Sequence, residues 1–148
     1  MIEIHDGDIF ATECDVIVCP VNCVGIMGKG LAKEFAQKYP EYYKRYSKAC
    51  INRMIRPGRP VLHLFADLYD KDILSFPTKN HWKQSSNVEH IIEGLKVFSE
   101  RYNKMSITSI AFPALGCGCG GLTWDEIYPV MKKYLDPLPI KCEIYKPQ

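Results

Sequence analysis

Apolar and polar positions alternate from Met1 to His5, the period of a half-buried strand, and Asp6-Gly7-Asp8-Ile9 then signals a turn with room for a short helix. The run Cys14-Asp15-Val16-Ile17-Val18-Cys19 returns to apolar character and predicts a buried strand. Beyond a glycine-rich stretch the spacing becomes helical through Leu31, Phe35 and Lys38-Tyr39. Pro40, suited to the first turn of a helix, then opens a second one carrying Tyr42, Tyr43, Tyr46 and Cys50.

Arg56-Pro57-Gly58-Arg59-Pro60 breaks the chain before a predicted strand at Val61 to Phe65, and Asp70-Lys71-Asp72 turns it into another at Ile73 to Phe76. Pro77 to Asn87 has no period and is rich in polar groups, so it reads as a loop leaving the end of a buried strand, a common place for function. Asn87 is a cap for a helix whose stripe is Val88, Ile91, Ile92, Leu95, Phe98 and Tyr102. Ile107 to Phe112 predicts a strand that opens into a second glycine-rich loop, and Thr123 with Glu126 has the capping-box spacing for a last helix. Ile140 to Tyr145 closes the pattern. Strands alternating with helices predict an α/β fold, a three-layer sandwich with a largely parallel or mixed sheet, and one domain over residues 1–148.

Composition narrows this little. With 47% hydrophobic and 24% charged residues the 148-residue chain is an ordinary globular one, and a formal charge of +2 leaves any basic surface local. The seven cysteines, several inside apolar runs, suit reduced buried thiols better than a disulfide framework. With neither a signal peptide nor a long apolar span, a cytoplasmic setting and no membrane partner are expected.

The two glycine-rich loops change the picture more. Val21-Asn22-Cys23-Val24-Gly25-Ile26-Met27-Gly28-Lys29-Gly30-Leu31-Ala32 and Gly116-Cys117-Gly118-Cys119-Gly120-Gly121-Leu122 each stand between a strand and a helix. Two such loops at strand ends are placed to clamp a diphosphate with backbone N–H groups and helix N-termini. Neither is a P-loop, since Cys23 and Gly30 occupy the positions around Gly28-Lys29 that need glycine and a hydroxyl, and neither fits a dinucleotide redox fingerprint. Cys117 and Cys119 lack a second pair at ligand spacing, so no metal is expected, and Cys23 lacks an adjacent base for work as a nucleophile. Lys79, leaving an apolar strand beside His81 and Trp82, is a candidate amine nucleophile toward a sugar carbon; a solvated loop lysine is the plain alternative.

Four segments together resemble a macrodomain: Gly7-Asp8-Ile9, Asn22 to Ala32, Phe76-Pro77-Thr78-Lys79-Asn80-His81-Trp82, and Pro113-Ala114-Leu115-Gly116-Cys117-Gly118. Within that family they are most similar to the DarG branch, antitoxins that remove ADP-ribose placed on DNA by a partner toxin and that are related to terminal ADP-ribose protein glycohydrolase. The likeness runs over nearly the whole chain. It implies a mixed six-stranded sheet in an α/β/α sandwich, with ADP-ribose in a cleft above the sheet and no further cofactor.

By the same resemblance Asp8 accepts a hydrogen bond from the adenine amino group, with Ile9 near the ring, and Asn22 contacts the distal ribose. Gly25, Gly28, Lys29 and Gly30 of the first loop, with Gly116, Cys117, Gly118, Cys119, Gly120 and Gly121 of the second, hold the diphosphate, and Lys79 is catalytic. Trp82 with His81 and Lys83 suits a base in single-stranded DNA, since aromatic–base stacking is worth roughly 1–3 kcal/mol. Tyr42, Tyr43, Lys44, Arg45 and Tyr46, then Arg53, Arg56 and Arg59, would add a phosphate-contacting surface, unless they are core tyrosines among solvated charges.

The protein-directed glycohydrolase carries an aspartate where Gly120 stands, which favours the DNA-directed branch; that branch often has asparagine in place of Cys119. The expected function is hydrolysis of ADP-ribose from a base in single-stranded DNA, thymidine foremost, with a cognate DNA ADP-ribosyltransferase toxin as partner. A glycohydrolase of protein ADP-ribosyl-glutamate and a non-catalytic ADP-ribose-binding module are the rivals.

Overall fold

The computed structural model describes residues 1–148. Its strands are β1 Ile2–His5, β2 Val16–Val21, β3 Val61–His63, β4 Asp72–Pro77, β5 Ser109–Pro113 and β6 Lys141–Tyr145. Helices α1 Gly30–Lys38, α2 Pro40–Ile51, α3 Val88–Arg101 and α4 Trp124–Leu135 alternate with them, and short 3-10 turns stand at Ile9–Ala11 and Gly118–Gly120. The six strands form one sheet in the order β1-β6-β5-β2-β4-β3. All neighbours are parallel except β3, which runs antiparallel to β4 at the edge.

The central strand β2 shows how the sequence makes three layers. Its side chains alternate, so Val16 and Val18 join a core with α3 and α4, while Ile17, Cys19 and Val21 join one with α1 and α2. Phe76, Phe98 and Phe112 fill the first of these cores edge to face. Phe35, Tyr42 and Tyr46 fill the second.

Local signals place the helix ends as the sequence predicts. Asn87 Oδ1 accepts from Glu89 N at the start of α3, and Thr123 with Glu126 forms a reciprocal capping box on α4. Pro40 takes the first turn of α2, where its missing N–H costs no hydrogen bond.

The tyrosine surface does not survive. Tyr42 and Tyr46 are fully buried, and their hydroxyls serve the fold: Tyr42 shares a 2.6 Å hydrogen bond with Ser75, and Tyr46 donates to Asn22. Their spacing of four residues puts both on the inward face of α2, leaving Lys44 and Arg45 outside. Arg45 donates to Leu64 O and lies over the Phe65 ring. No helix is long and apolar enough to cross a membrane.

Candidate active site

Five parallel strands end on the same side of the sheet, and each contributes to one cleft of about 770 Å³. Gly7, Asp8 and Ile9 follow β1; Pro20 to Asn22 end β2; Thr78 and Lys79 leave β4; Pro113 and Ala114 end β5; Tyr145 ends β6 and Lys146 to Gln148 follow it. The two glycine loops form its long walls, with Gly28 to Ala32 facing Gly116 to Gly120. A second cavity of about 450 Å³ lies at the opposite, amino ends of the strands, between Leu62, Lys71 and Thr108, away from all of these groups.

Asn22 builds the first loop. Buried at the end of β2, its Oδ1 accepts from Val24 N at 3.0 Å and from the Tyr46 hydroxyl at 2.7 Å, while its Nδ2 donates to Ile26 O at 2.7 Å. One Nδ2 hydrogen is left over on a residue that lines the cleft. Gly25 turns away from the cleft: its φ of +86° suits glycine, its carbonyl accepts from Ser47, and an added Cβ would lie 3.5 Å from the α2 backbone. Gly30, with φ +58°, opens α1 at the cleft wall.

Lys79 is half-buried in the wall between the loops. Beyond β4 the chain keeps pairing with the end of β2, since Thr78 N donates to Val21 O and Cys23 N donates to Asn80 O at 2.8 Å. The backbone that carries Lys79 is therefore fixed to the first loop. Burial, with the neighbouring Cys50, pushes the Cys23 thiol up to about 12, so it stays protonated and is no rival nucleophile. Trp82 reaches the cleft, whereas His81 and Lys83 do not line it. They brace the indole from outside, His81 at 5.3 Å between ring centroids and Lys83 Nζ at 5.2 Å over the ring.

The second loop folds on its own backbone: Leu122 N donates to Gly116 O and Gly121 N to Gly118 O. Gly121, with φ +83°, ends the 3-10 turn and lies outside the cleft lining. Cys119 is exposed, and its Sγ comes within 3.2 Å of where a Cβ on Gly30 would stand, so the two loops meet. Burial and then Glu126 raise the Cys117 thiol.

At the other end of the cleft Asp8 is exposed, with Oδ1 accepting from Phe10 N at 2.9 Å and its second oxygen free for a donor on a ligand. Ile9 is buried beside it. Tyr145, which sequence reasoning missed, stacks on His5 with centroids 5.1 Å apart and donates to Glu143 Oε1. Burial alone would raise the Glu143 carboxyl, but the Thr12 hydrogen bond, His5 and Tyr145 hold it below the ordinary carboxylate range. Glu3, His5 and Glu143 bring donor atoms within 4.8 Å of one another outside the cleft, where Lys141 Nζ, 3.4 Å from Glu143, supplies positive charge.

The cleft thus gathers Asp8, Ile9, Asn22, Gly28, Lys29, Gly30, Lys79, Trp82 and Gly116 to Gly120, and omits Gly25, Gly121, His81 and Lys83. It adds Glu34, Thr78, Ser86 and the tail Tyr145 to Gln148. The position of Tyr145 at the end of the last predicted strand was the available signal for the tail; the others depend on tertiary approach.

The Macro domain family model matches residues 18–131. The chain is 37% identical over 158 residues to a DNA ADP-ribosyl transferase-DNA ADP-ribosyl glycohydrolase fusion protein of Thermosipho africanus, covering 96% of this chain and 41% of that one. The solved structure of Thermosipho africanus DarTG in complex with ADP-ribose superposes with a TM-score of 0.96 at 37% identity, over 99% of this chain and 41% of that chain. The macrodomain of Mycobacterium tuberculosis DarG gives a TM-score of 0.94 at 35% identity, over 100% and 99%. The chain spans about two fifths of the length of the first curated relatives it matches.

Proposed function

Because the chain belongs to the Macro domain family, we propose that it is an ADP-ribosyl glycohydrolase acting on ADP-ribose attached to a base in single-stranded DNA, with Lys79 as the reacting group. The observation that carries this reading is the position of Lys79, half-buried in the cleft wall between two glycine loops and tied by its backbone to one of them. The names of the relatives, DNA ADP-ribosyl glycohydrolases, support the substrate class.

In this reading Asp8 accepts from the adenine amino group with Ile9 against the ring, and the backbone amides of Gly28 to Gly30 and Gly116 to Gly120 hold the diphosphate. The remaining Nδ2 hydrogen of Asn22 meets the distal ribose. That sets the anomeric carbon beside Lys79 and the attached base beside Trp82. The Lys79 amine attacks that carbon, the bond to the base nitrogen breaks, and its electron pair leaves with the base, which takes up the proton the amine gives up. Water then displaces the lysine and releases ADP-ribose. A DNA ADP-ribosyltransferase toxin fits as the partner that makes the substrate, as the fusion in one relative suggests.

The test is an oligonucleotide ADP-ribosylated on thymidine, offered beside an automodified protein carrying ADP-ribosyl-glutamate. Wild-type protein should release ADP-ribose from the oligonucleotide, and Lys79→Ala should slow release by roughly 100-fold or more while still binding ADP-ribose in calorimetry. Release from the protein substrate alone, or equal rates for Lys79→Ala and wild type, would overturn the reading.

A further inference from the structure

Ser86 lies at the stem of the lysine loop and approaches the second glycine loop at Gly120, in the space a Cβ there would take. The loop leaves β4 at Thr78 and returns at Asn87, whose N donates to Thr78 O at 2.9 Å. Ser86, buried beside it, donates its backbone N–H to Gly120 O at 2.8 Å and sets its hydroxyl 3.3 Å from Thr78 Oγ1. A Cβ built on Gly120 would stand 2.2 Å from Ser86 Oγ and 3.0 Å from Ser86 Cβ. Gly120 has no left-handed φ, so its backbone would accept an L residue, and a side chain there would have to turn the Ser86 hydroxyl away and press on Ser86 Cβ.

The other links complete a ring. Cys23 N to Asn80 O ties the first loop to the lysine loop, Ser86 to Gly120 ties the lysine loop to the second, and Cys119 against Gly30 joins the second to the first. Lys79 sits in that ring one residue from Thr78, the shared partner of both returns. The Ser86 contact is the shorter route by which a displacement of the second loop reaches the lysine, since the other runs through Gly30 and the whole first loop, and close-packed neighbours shift together.

We propose that Ser86 is a positioning residue, pressed against Gly120 so that the second glycine loop, when it closes on a diphosphate, sets the place of Lys79. This rests on the functional reading above and extends it to a residue outside the reacting set. The same contact occupies the volume that a side chain on residue 120 would need.

The experiment is a cycle of Gly120→Ala, Ser86→Gly and the double variant. Gly120→Ala should push the Ser86 stem outward and lower kcat on the ADP-ribosylated oligonucleotide by roughly tenfold or more, with the dissociation constant for ADP-ribose changed less than about threefold. In the double variant both atoms that meet the new Cβ are gone, and kcat should recover to within a few-fold of Ser86→Gly alone. A loss of general stability would not give this pattern of one variant rescuing another in kcat. Trp82 rides on the same loop, so in a Trp124→Phe background its fluorescence change on adding ADP-ribose should shrink in Gly120→Ala and return in the double variant. Wild-type kcat in Gly120→Ala, or a double variant no better than the product of the two single effects, overturns the role of Ser86. An inactive wild type overturns the functional reading instead, and the fluorescence cycle then decides Ser86 alone.

Discussion

The two glycine loops face each other across one cleft and are held in shape by different means. The first is built by side chains: Asn22 bonds three points of its own loop and the Tyr46 hydroxyl, and Ser47 secures Gly25. The second is built by backbone turns and by what it touches, Leu122 under Gly116, Ser86 under Gly120 and Gly30 beside Cys119. A loop with its own polar scaffold keeps its shape when its neighbours move. A loop shaped by its neighbours follows them.

Asn22→Ala should separate the two most. It removes the bonds to Val24 N and Ile26 O, on exposed residues where water can replace them, and leaves the Tyr46 hydroxyl with Asn22 O alone; a hydrogen bond of this kind is worth roughly 0.5–1.5 kcal/mol. A loss of about 2–3 kcal/mol in urea unfolding is expected, with faster amide exchange in the first loop and little change in the second. Equal exchange in both would show that the second loop leans on the first.

Acid provides a milder route to the same end. Beneath the first loop α2 also holds Tyr42, which meets Ser75, and Ser75 meets His63 Nε2 at 3.0 Å. Burial, and then Arg45, push the His63 imidazole down to about 4. The folded state therefore keeps His63 neutral, and the stability this lends is complete above the unfolded value near 6.5 and is lost as pH falls toward about 4. Between about pH 7 and pH 5 the loss is on the order of 2 kcal/mol. His63→Gln should flatten that stretch of the stability curve, and an unchanged slope would place the acid sensitivity elsewhere.

Cys119→Ser should do least. Its sulfur touches Gly30 from an exposed position, so stability should move by less than about 0.5 kcal/mol in thermal unfolding. A larger effect would mean that the meeting of the loops is a support and not only a contact.

Much of this was legible in the sequence where the cause is local. The caps at Asn87 and Thr123 and Pro40 at the start of α2 each act within a few residues, and the helices formed where they predict; the apolar run Cys14 to Cys19 marked β2, which begins and ends two residues later, at Val16–Val21. The inward turn of Tyr42 and Tyr46 was half legible: their spacing marked one helix face, but only packing decides that the face is buried. Gly120 read as a diphosphate glycine, whereas its contact with Ser86 depends on residues far apart in the chain. The direction of β3 and the place of Tyr145 and the tail in the cleft wall are likewise tertiary facts without a local signature.

The pairing of β1 with β6 has a consequence for how the protein comes into being. The first strand finds its only sheet partner in the last, and Asp136 accepts from Ile2 N across most of the chain. During synthesis β1 must wait until residue 145 has left the ribosome, so contacts of the longest sequence separation close last and slowly. Asp8 follows β1 and Tyr145 ends β6. The end of the cleft they share is therefore the last part of this sheet to close, and a nascent chain with both glycine loops already folded still lacks it.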